Sequence, residues 1–348
     1  MTSLTRIAVT ARKIIRYGLL FLIFLIVGRM LWNIGSNIFR KLFPAPPPPP
    51  TVLFGKLPKL PFPDKGKVNL KFTLQTAEGG LPKLATQTKV YFMPKIAANL
   101  LSLDVARNKA SALDFLTTEQ PVSQTIYRFA NGNSPSTLEI NIVTGIFSIS
   151  YDLKTDPSPI ERIPPAPEVA AAAVRSYLSS ADLLPSDLTG PTSHEFLKIE
   201  SGNLTTALSL SEANLIKINL FRKTYDNLPC LTSEVDKANV WFLVSGAAER
   251  QKQIVGAEFH YFPVDETKFS TYPIKTPQAA WDELAAGNAY IAGLGLNKEG
   301  DNVTIRKIYL AYYDAGVPLE FLGPIFVFEG DKGFIAYIPA VTGDYYGE

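Results

Sequence analysis

The sequence predicts an α+β protein: an N-terminal transmembrane helix, then repeated modules in which one helix is followed by an antiparallel meander. Three observations predict it. Residues 1–41 carry seven basic side chains and no acidic one around the uncharged run Tyr17–Gly28. Beyond residue 66, apolar and polar residues alternate in short runs separated by turn signals, the period of half-buried strands. Three stretches, starting near residues 104, 168 and 277, instead place apolar residues three and four apart, the period of a helix face.

The N-terminal segment is read first. Ile14 and Ile15 extend the apolar run upstream across Arg16, and Met30–Ile34 with Ile38-Phe39 extend it downstream across Arg29. The resulting span reaches the ~20 residues that a bilayer requires. Arg29 lies near its outer end, where a long side chain can snorkel, and Trp32 sits at interfacial depth. A cleaved signal peptide is the competing reading, but Arg29, Met30, Leu31 and Trp32 offer no small-residue cleavage site. Arg6, Arg12, Lys13 and Arg16 precede the run and Arg40 and Lys41 follow it, a modest asymmetry that puts the N-terminus inside. The expected location is therefore the cell membrane, single-pass, with residues 1–13 cytoplasmic, 14–38 spanning, and the C-terminal head extracellular. Pro44 and Pro46–Pro50 predict a polyproline spacer of ~20 Å. With the aperiodic Leu57–Pro63 it makes 39–66 a stalk.

The head follows. Val68, Leu70, Phe72 and Leu74 alternate with polar residues as a strand, and Val90–Phe92 is a second. Asp104 caps a helix to Leu116, with Val105, Ala106, Ala110, Leu113 and Leu116 on its buried face. Strands are expected at 124–130, 137–143 and 146–152, with Asn131-Gly132 and Thr144-Gly145 as turns. Pro167 opens a second helix over 168–179, with Val169, Ala173, Val174 and Tyr177 apolar. Strands recur at 205–210, 215–222, 238–244 and 253–262. Thr276-Pro277 starts a third helix over 278–286 that Gly287 stops. The last strands are expected at 289–294, 303–313, 324–329 and 334–341, the final pair joined through Gly330–Gly333. This divides the head into modules 67–155, 164–264 and 274–348.

Charge and chemistry bound the function. The whole chain carries 34 basic and 32 acidic residues; without the seven basic residues of the anchor, 27 face 32, a balance of −5. An acidic head repels phosphate backbones, so no nucleic-acid partner is expected. The single cysteine, Cys230, excludes an intramolecular disulfide and reads as a buried small hydrophobe. The only histidines, His194 and His260, are too far apart in sequence for a compact zinc set with it. No nucleophile-elbow or phosphate-loop pattern occurs, and Gly293-Leu294-Gly295 lacks the third glycine of a dinucleotide loop. Asp282-Glu283 falls on a helix surface and Glu329 with Asp331 in a turn. No catalytic residue, cofactor-binding residue, metal site or cofactor is expected. Tyr312, Tyr345 and Tyr346 are the candidate partner-binding residues, since exposed tyrosines anchor interfaces; packing in the core is the rival reading.

The C-terminal stretch carries a family resemblance. Ala279–Leu284, the run Leu310–Tyr313, Pro324–Phe328 and Tyr337–Val341 resemble the C-terminal region of the YycH/YycI-type extracytoplasmic regulators of two-component systems, and more loosely PepSY-like and cystatin-like modules. Asn219–Lys223 with Leu228-Pro229 is similar to the preceding strand pair of that family. The resemblance covers residues 215–341; the proline stalk and the extra N-terminal unit depart from it. It implies a non-enzymatic, membrane-anchored module that restrains a sensor kinase or another envelope protein. Two further expectations stand beside it: a carrier or sensor of an apolar ligand held between helix and sheet, and an envelope hydrolase.

Overall fold

The computed structural model describes residues 3–42, 48–66, 68–95 and 102–347. The chain divides into two compact units, Met1–Pro49 and Pro50–Glu348.

The first unit is one helix, α1 (Ser3–Leu42), longer at both ends than the predicted span. Its segment Ile15–Ser36 is 22 residues long with a mean hydropathy of 1.9, and none of it is buried. Leu19, Phe21, Phe24, Leu25 and Met30 point outward on every side of the helix. A helix apolar all round needs an apolar surrounding, which a bilayer or the core of a large protein supplies. Pro44, Pro46 and Pro47 of the predicted spacer lie outside the described residues.

The second unit is mixed α+β. Its first half holds β1 (Lys71–Leu74), β2 (Gln87–Phe92), α2 (Ser102–Ala112), β3 (Gln120–Pro121), β4 (Ile126–Ala130), β5 (Ser136–Asn141), β6 (Phe147–Tyr151) and α3 (Pro167–Ser180). Next come β7 (Thr192–Glu200), β8 (Asn203–Thr206), β9 (Leu215–Leu220), β10 (Cys230–Leu231), β11 (Val240–Val244), β12 (Ile254–Phe259) and β13 (Asp265–Pro273). The chain continues through α4 (Pro277–Ala285), β14 (Tyr290–Gly293), β15 (Asn302–Tyr313), β16 (Phe321–Leu322), β17 (Pro324–Gly330) and β18 (Ile335–Pro339).

The strands form three sheets. Nine stand in the order β3-β4-β5-β6-β12-β11-β9-β7-β8, five in the order β1-β15-β17-β18-β14 with β10 also on β15, and three as β13-β2-β16. The expected modules are not the units of this fold. The meander β4–β6 joins β12 edge to edge, with Phe147 opposite Phe259, so residues on both sides of the 155/164 boundary share one sheet. An isolated meander leaves an unpaired edge, and that pairing removes it. β1 and β2 leave their neighbours entirely: β1 runs parallel to β15, and β2 antiparallel to β13.

Helices cover one face of each large sheet. Ala106, Ala110 and Leu113 of the α2 region and Ala170, Ala171, Val174 and Leu178 of α3 pack on Leu138, Ile149, Ile218 and Phe242. Ala280 and Leu284 of α4 pack on Ile308, Phe326 and Phe328. The predicted faces are partly wrong: Val105, Leu116 and Val169 are exposed. Small residues face the sheet because they let a helix axis approach it, and the larger side chains turn out.

The helix ends share one device. Asp114 (φ 70), Asp182 (φ 54) and Gly287 (φ 75) sit in the left-handed conformation. After each, an N–H reaches back five residues: Phe115 to Ala110, Leu183 to Leu178, and Asn288 to Glu283. These are Schellman endings with aspartate in place of glycine at two of the three. At the other end of α4, Thr276 accepts from the Ala279 N–H, as its sequence predicts.

The predicted stalk is shortened. From Thr51 the chain is strapped onto the head through N–H groups of Thr51, Leu53, Phe54 and Leu60, which donate to the hydroxyls of Thr271, Ser270, Tyr272 and Tyr346 at 2.8–3.0 Å. Leu57 is buried, Phe54 stacks on Phe321 at 4.8 Å and Phe62 on Tyr290 at 4.8 Å. Apolar residues spaced two and three apart give this segment a face to bury, so it packs rather than spaces.

Candidate functional site

Where the nine-stranded sheet meets the sheet containing β15, the structure buries a charge cluster. Arg222 lies two residues past β9, Asp187 in the connection from α3 to β7, and Asp314 directly after β15. The Arg222 guanidinium donates from Nε to Asp314 at 2.8 Å, from Nη1 to Asp187 at 2.5 Å, and from Nη2 to the Phe262 carbonyl at 2.6 Å. Asp187 also accepts from the Tyr225 hydroxyl at 2.6 Å and the Tyr261 hydroxyl at 2.8 Å. The Arg222 side chain is 1% exposed. Burial alone would weaken its hold on the proton, but the Asp314 and Asp187 carboxylates outweigh burial and raise its pKa well above the ordinary value. Burial, then the bond to Asp187, raises the Tyr225 phenol, and burial raises the Cys230 thiol beside the cluster. Gly190 is required here: a Cβ would lie 2.1 Å from the Arg222 carbonyl oxygen.

Tyr261 forms the boundary between this cluster and the outside. Its ring lies under the Arg222 guanidinium at 4.5 Å, and it also lines a recess of about 310 Å³. The recess has three walls. Leu183, Leu184 and Pro185 form one, placed by the left-handed turn at Asp182 that ends α3. Phe259 and Pro263 form the second with Tyr261. Lys109 of α2 and the Thr144-Gly145 turn form the third. That turn is rigid, because the Asn141 side chain accepts the N–H groups of Val143 and Thr144 at 3.0 and 3.1 Å. Gly145 has φ +75, and the Lys109 Nζ lies 3.5 Å from the position a Cβ would take there.

Lys109 is half-buried, and among the described residues it has no hydrogen-bond or ion-pair partner. Burial lowers its pKa. Asp182 also lines the recess but is exposed. A second recess of about 260 Å³ shares Thr144 and is lined by Phe262, Pro318 and Leu319; its lysine, Lys95, is paired with Glu320. The apolar groove beside Leu57 and Tyr346, one side of which is the strap itself, encloses only about 20 Å³.

The candidate partner-binding tyrosines are placed otherwise than expected. Tyr312 is fully buried and its hydroxyl donates to the Lys89 carbonyl at 3.0 Å, so it is core and cannot anchor a partner. Both faces of β15 are covered at this point, one by Tyr91 of β2 against Tyr312 and the other by Phe62 of the strap against Tyr313, which the sequence does not announce. Tyr345 and Tyr346 are half-buried in the cluster around Leu57, Val90 and Tyr272. The noted carboxylates have structural partners: Glu283 pairs with Lys275 at 2.7 Å, Glu329 accepts from Tyr309 at 2.6 Å, and Asp331 accepts from the Thr304 N–H at 3.1 Å. His194 is an exposed strand residue, and His260 bonds Glu258 at 3.0 Å. Among the described residues no three His, Cys, Asp or Glu side chains gather as metal ligands would. Lys109, Asp187 and Arg222 were missed; a basic residue closing the apolar run 215–222 is the one signal that could have found any of them.

No known protein family and no curated protein matches this chain. Among solved structures, the crystal structure of an uncharacterized protein from Eubacterium rectale is similar over 74% of this chain and 85% of its own, at 12% sequence identity and a TM-score of 0.40.

Proposed function

We propose that this chain is a single-pass membrane protein whose second unit stands outside the cell as a non-enzymatic protein-interaction or regulatory module. Its partner is a membrane or envelope protein, with a sensor kinase or an envelope assembly factor as the specific expectation. The observation that carries this reading is α1: 22 residues of mean hydropathy 1.9, uncovered on every side, on the same chain as a separate folded unit. The basic flank at Arg12, Lys13 and Arg16 supports an N-terminus inside. The resemblance of residues 215–341 to the YycH/YycI-type regulators supports a regulatory role, and the −5 balance beyond the anchor favours a protein over a nucleic-acid partner.

Two measurements test it. An alkaline phosphatase fused after residue 347 is active only if the C-terminus lies outside; an inactive fusion overturns the topology. Photocrosslinking in intact cells, followed by mass spectrometry, is expected to recover one membrane or envelope protein. A head that crosslinks to none, or performs the same after release from its anchor, overturns the proposed function.

A further inference from the structure

We propose that the recess between Lys109, the Thr144-Gly145 turn and the 183–185 wall binds a small amphiphilic anion, with its carboxylate or phosphate head at Lys109 and its apolar part against Phe259 and Leu184. The inference stands whichever side of a membrane the unit faces. Three features carry it. The recess measures about 310 Å³, within the range of pockets that take small organic ligands. Its walls are mixed, with an apolar side formed by Leu183, Leu184, Pro185 and Phe259 and a braced floor: Phe259 stacks on Phe147 at 4.7 Å, and Tyr261 is pinned to Asp187.

The third feature is the lysine. A half-buried ammonium gives up much of its hydration and is normally compensated by a carboxylate. Lys109 has no such group among the described residues. Asp182, the one carboxylate lining the recess, is exposed and not paired with it. The Thr144 hydroxyl accepts from the Ile146 N–H at 3.4 Å, which leaves its own O–H to donate to a bound anion. Lys95 in the adjoining recess is the contrast: it extends into water and still pairs with Glu320. At Lys109 the answering charge must arrive with a ligand.

The test uses the full chain in phosphatidylcholine nanodiscs, with empty discs as the blank. Hexanoate and hexyl phosphate are titrated calorimetrically beside hexanol, which lacks the charge, and acetate, which lacks the tail. At least one of the two hexyl anions is expected to saturate at one site, and whichever binds tighter assigns the head as carboxylate or phosphate. Hexanol and acetate are expected to bind roughly tenfold more weakly or less. Lys109→Met keeps the apolar stem and is expected to lose the anion preference, while Lys109→Arg retains it. Hydrogen exchange is expected to slow at 141–146 and 182–185 on binding. The proposal is overturned if neither anion saturates, if hexanol matches hexanoate, or if Lys109→Met, shown folded by its unchanged exchange elsewhere, binds as the native chain does.

Discussion

Replacing Arg222 by methionine should cost more than replacing either of its carboxylates, and the order of the three losses follows from the geometry. Methionine fills the stem volume but removes three donors at once: those to Asp314 at 2.8 Å, Asp187 at 2.5 Å and the Phe262 carbonyl at 2.6 Å. Two carboxylates then remain buried with no cation. Breaking a buried pair in this way costs about 3–5 kcal/mol. Asp187→Asn comes next. Asp187 accepts from Arg222, Tyr225 and Tyr261 on its two oxygens, and an amide offers one acceptor and one misplaced donor, for a loss of about 2–4 kcal/mol. Asp314→Asn is mildest, about 1 kcal/mol, because the side chain takes one bond from Arg222, an amide oxygen can still accept it, and one cation still faces one anion. The assay is urea unfolding of the full chain in micelles, followed through Trp241 on the nine-stranded sheet and Trp281 on α4. Arg222→Met should also separate the two transitions, since the cluster links those sheets. Equal losses for Asp187→Asn and Asp314→Asn, or a loss below about 1 kcal/mol for Arg222→Met, would refute the description of this junction as a desolvated network.

Other consequences are accessible to simpler measurements. Gly287→Ala meets no atom within 4 Å, so its cost is that of an L-residue at φ 75, about 1 kcal/mol of stability by thermal denaturation. Leu57→Ala removes a side chain packed against Val90, Tyr272 and Val341; limited proteolysis should then cut within 50–60 while the sheets stay resistant, and unfolding should lose about 2–4 kcal/mol. The hydrogen bond to Glu258 raises the His260 pKa, so this pair stabilises below the ordinary imidazole value of about 6.5 and its contribution fades as pH rises through the higher folded value. The pair is well solvated, so the effect should stay under about 1 kcal/mol, seen as a shift in Tm between pH 5.5 and 8.5 that His260→Gln abolishes.

What the sequence shows and hides follows how local each determinant is. The start of α4 was legible because Thr276-Pro277 acts within one turn, and β15, β17 and β18 because their apolar runs are long. The strand β13 was missed: DETKFSTYP has no sustained alternation, and it is ordered by pairing with β2, far away in the chain. The strand β7 was missed for a related reason, since its residues are only partly buried on either face. Sheet membership was hidden altogether. Alternation marks a strand but carries no information on its partner, so the pairing of β6 with β12 and the parallel approach of β1 to β15 could not be read. Helix faces were read in part: Ala106, Ala110 and Leu113 lie on the expected face, but Val105, Leu116 and Val169 turn out while Ala170 and Ala171 face the sheet, because close approach to a sheet selects small side chains. The candidate site suffered most, since Lys109, Thr144 and Tyr261 come together only after two helix ends and a hairpin are placed.

Arg222 and Lys109 lie on either side of Tyr261, and the contrast between them says what each is for. Every donor of Arg222 that the cluster engages meets an acceptor held by a different strand end or loop, so the charge is spent on tying sheets together. Such a network tolerates no extra ligand, because its acceptors are already used. Lys109 has the opposite surroundings: a wall of Leu183, Leu184 and Pro185, a turn whose Val143 and Thr144 N–H groups are already taken by Asn141, and an open volume. A lysine needed only for solubility would extend into water, as Lys95 and Lys268 do. Here the ammonium lies beside Gly145, which has no side chain to crowd it. The satisfied cluster also holds Tyr261 in place, so the recess keeps its shape without a ligand, and preformed walls spare a ligand the cost of ordering them. Tyr261→Phe separates the two roles: it removes one donor to Asp187 and should lower stability by about 1 kcal/mol, yet leave the Lys109 ammonium and the anion preference of the recess intact. Loss of anion preference in that variant at unchanged stability would break the division of labour argued here.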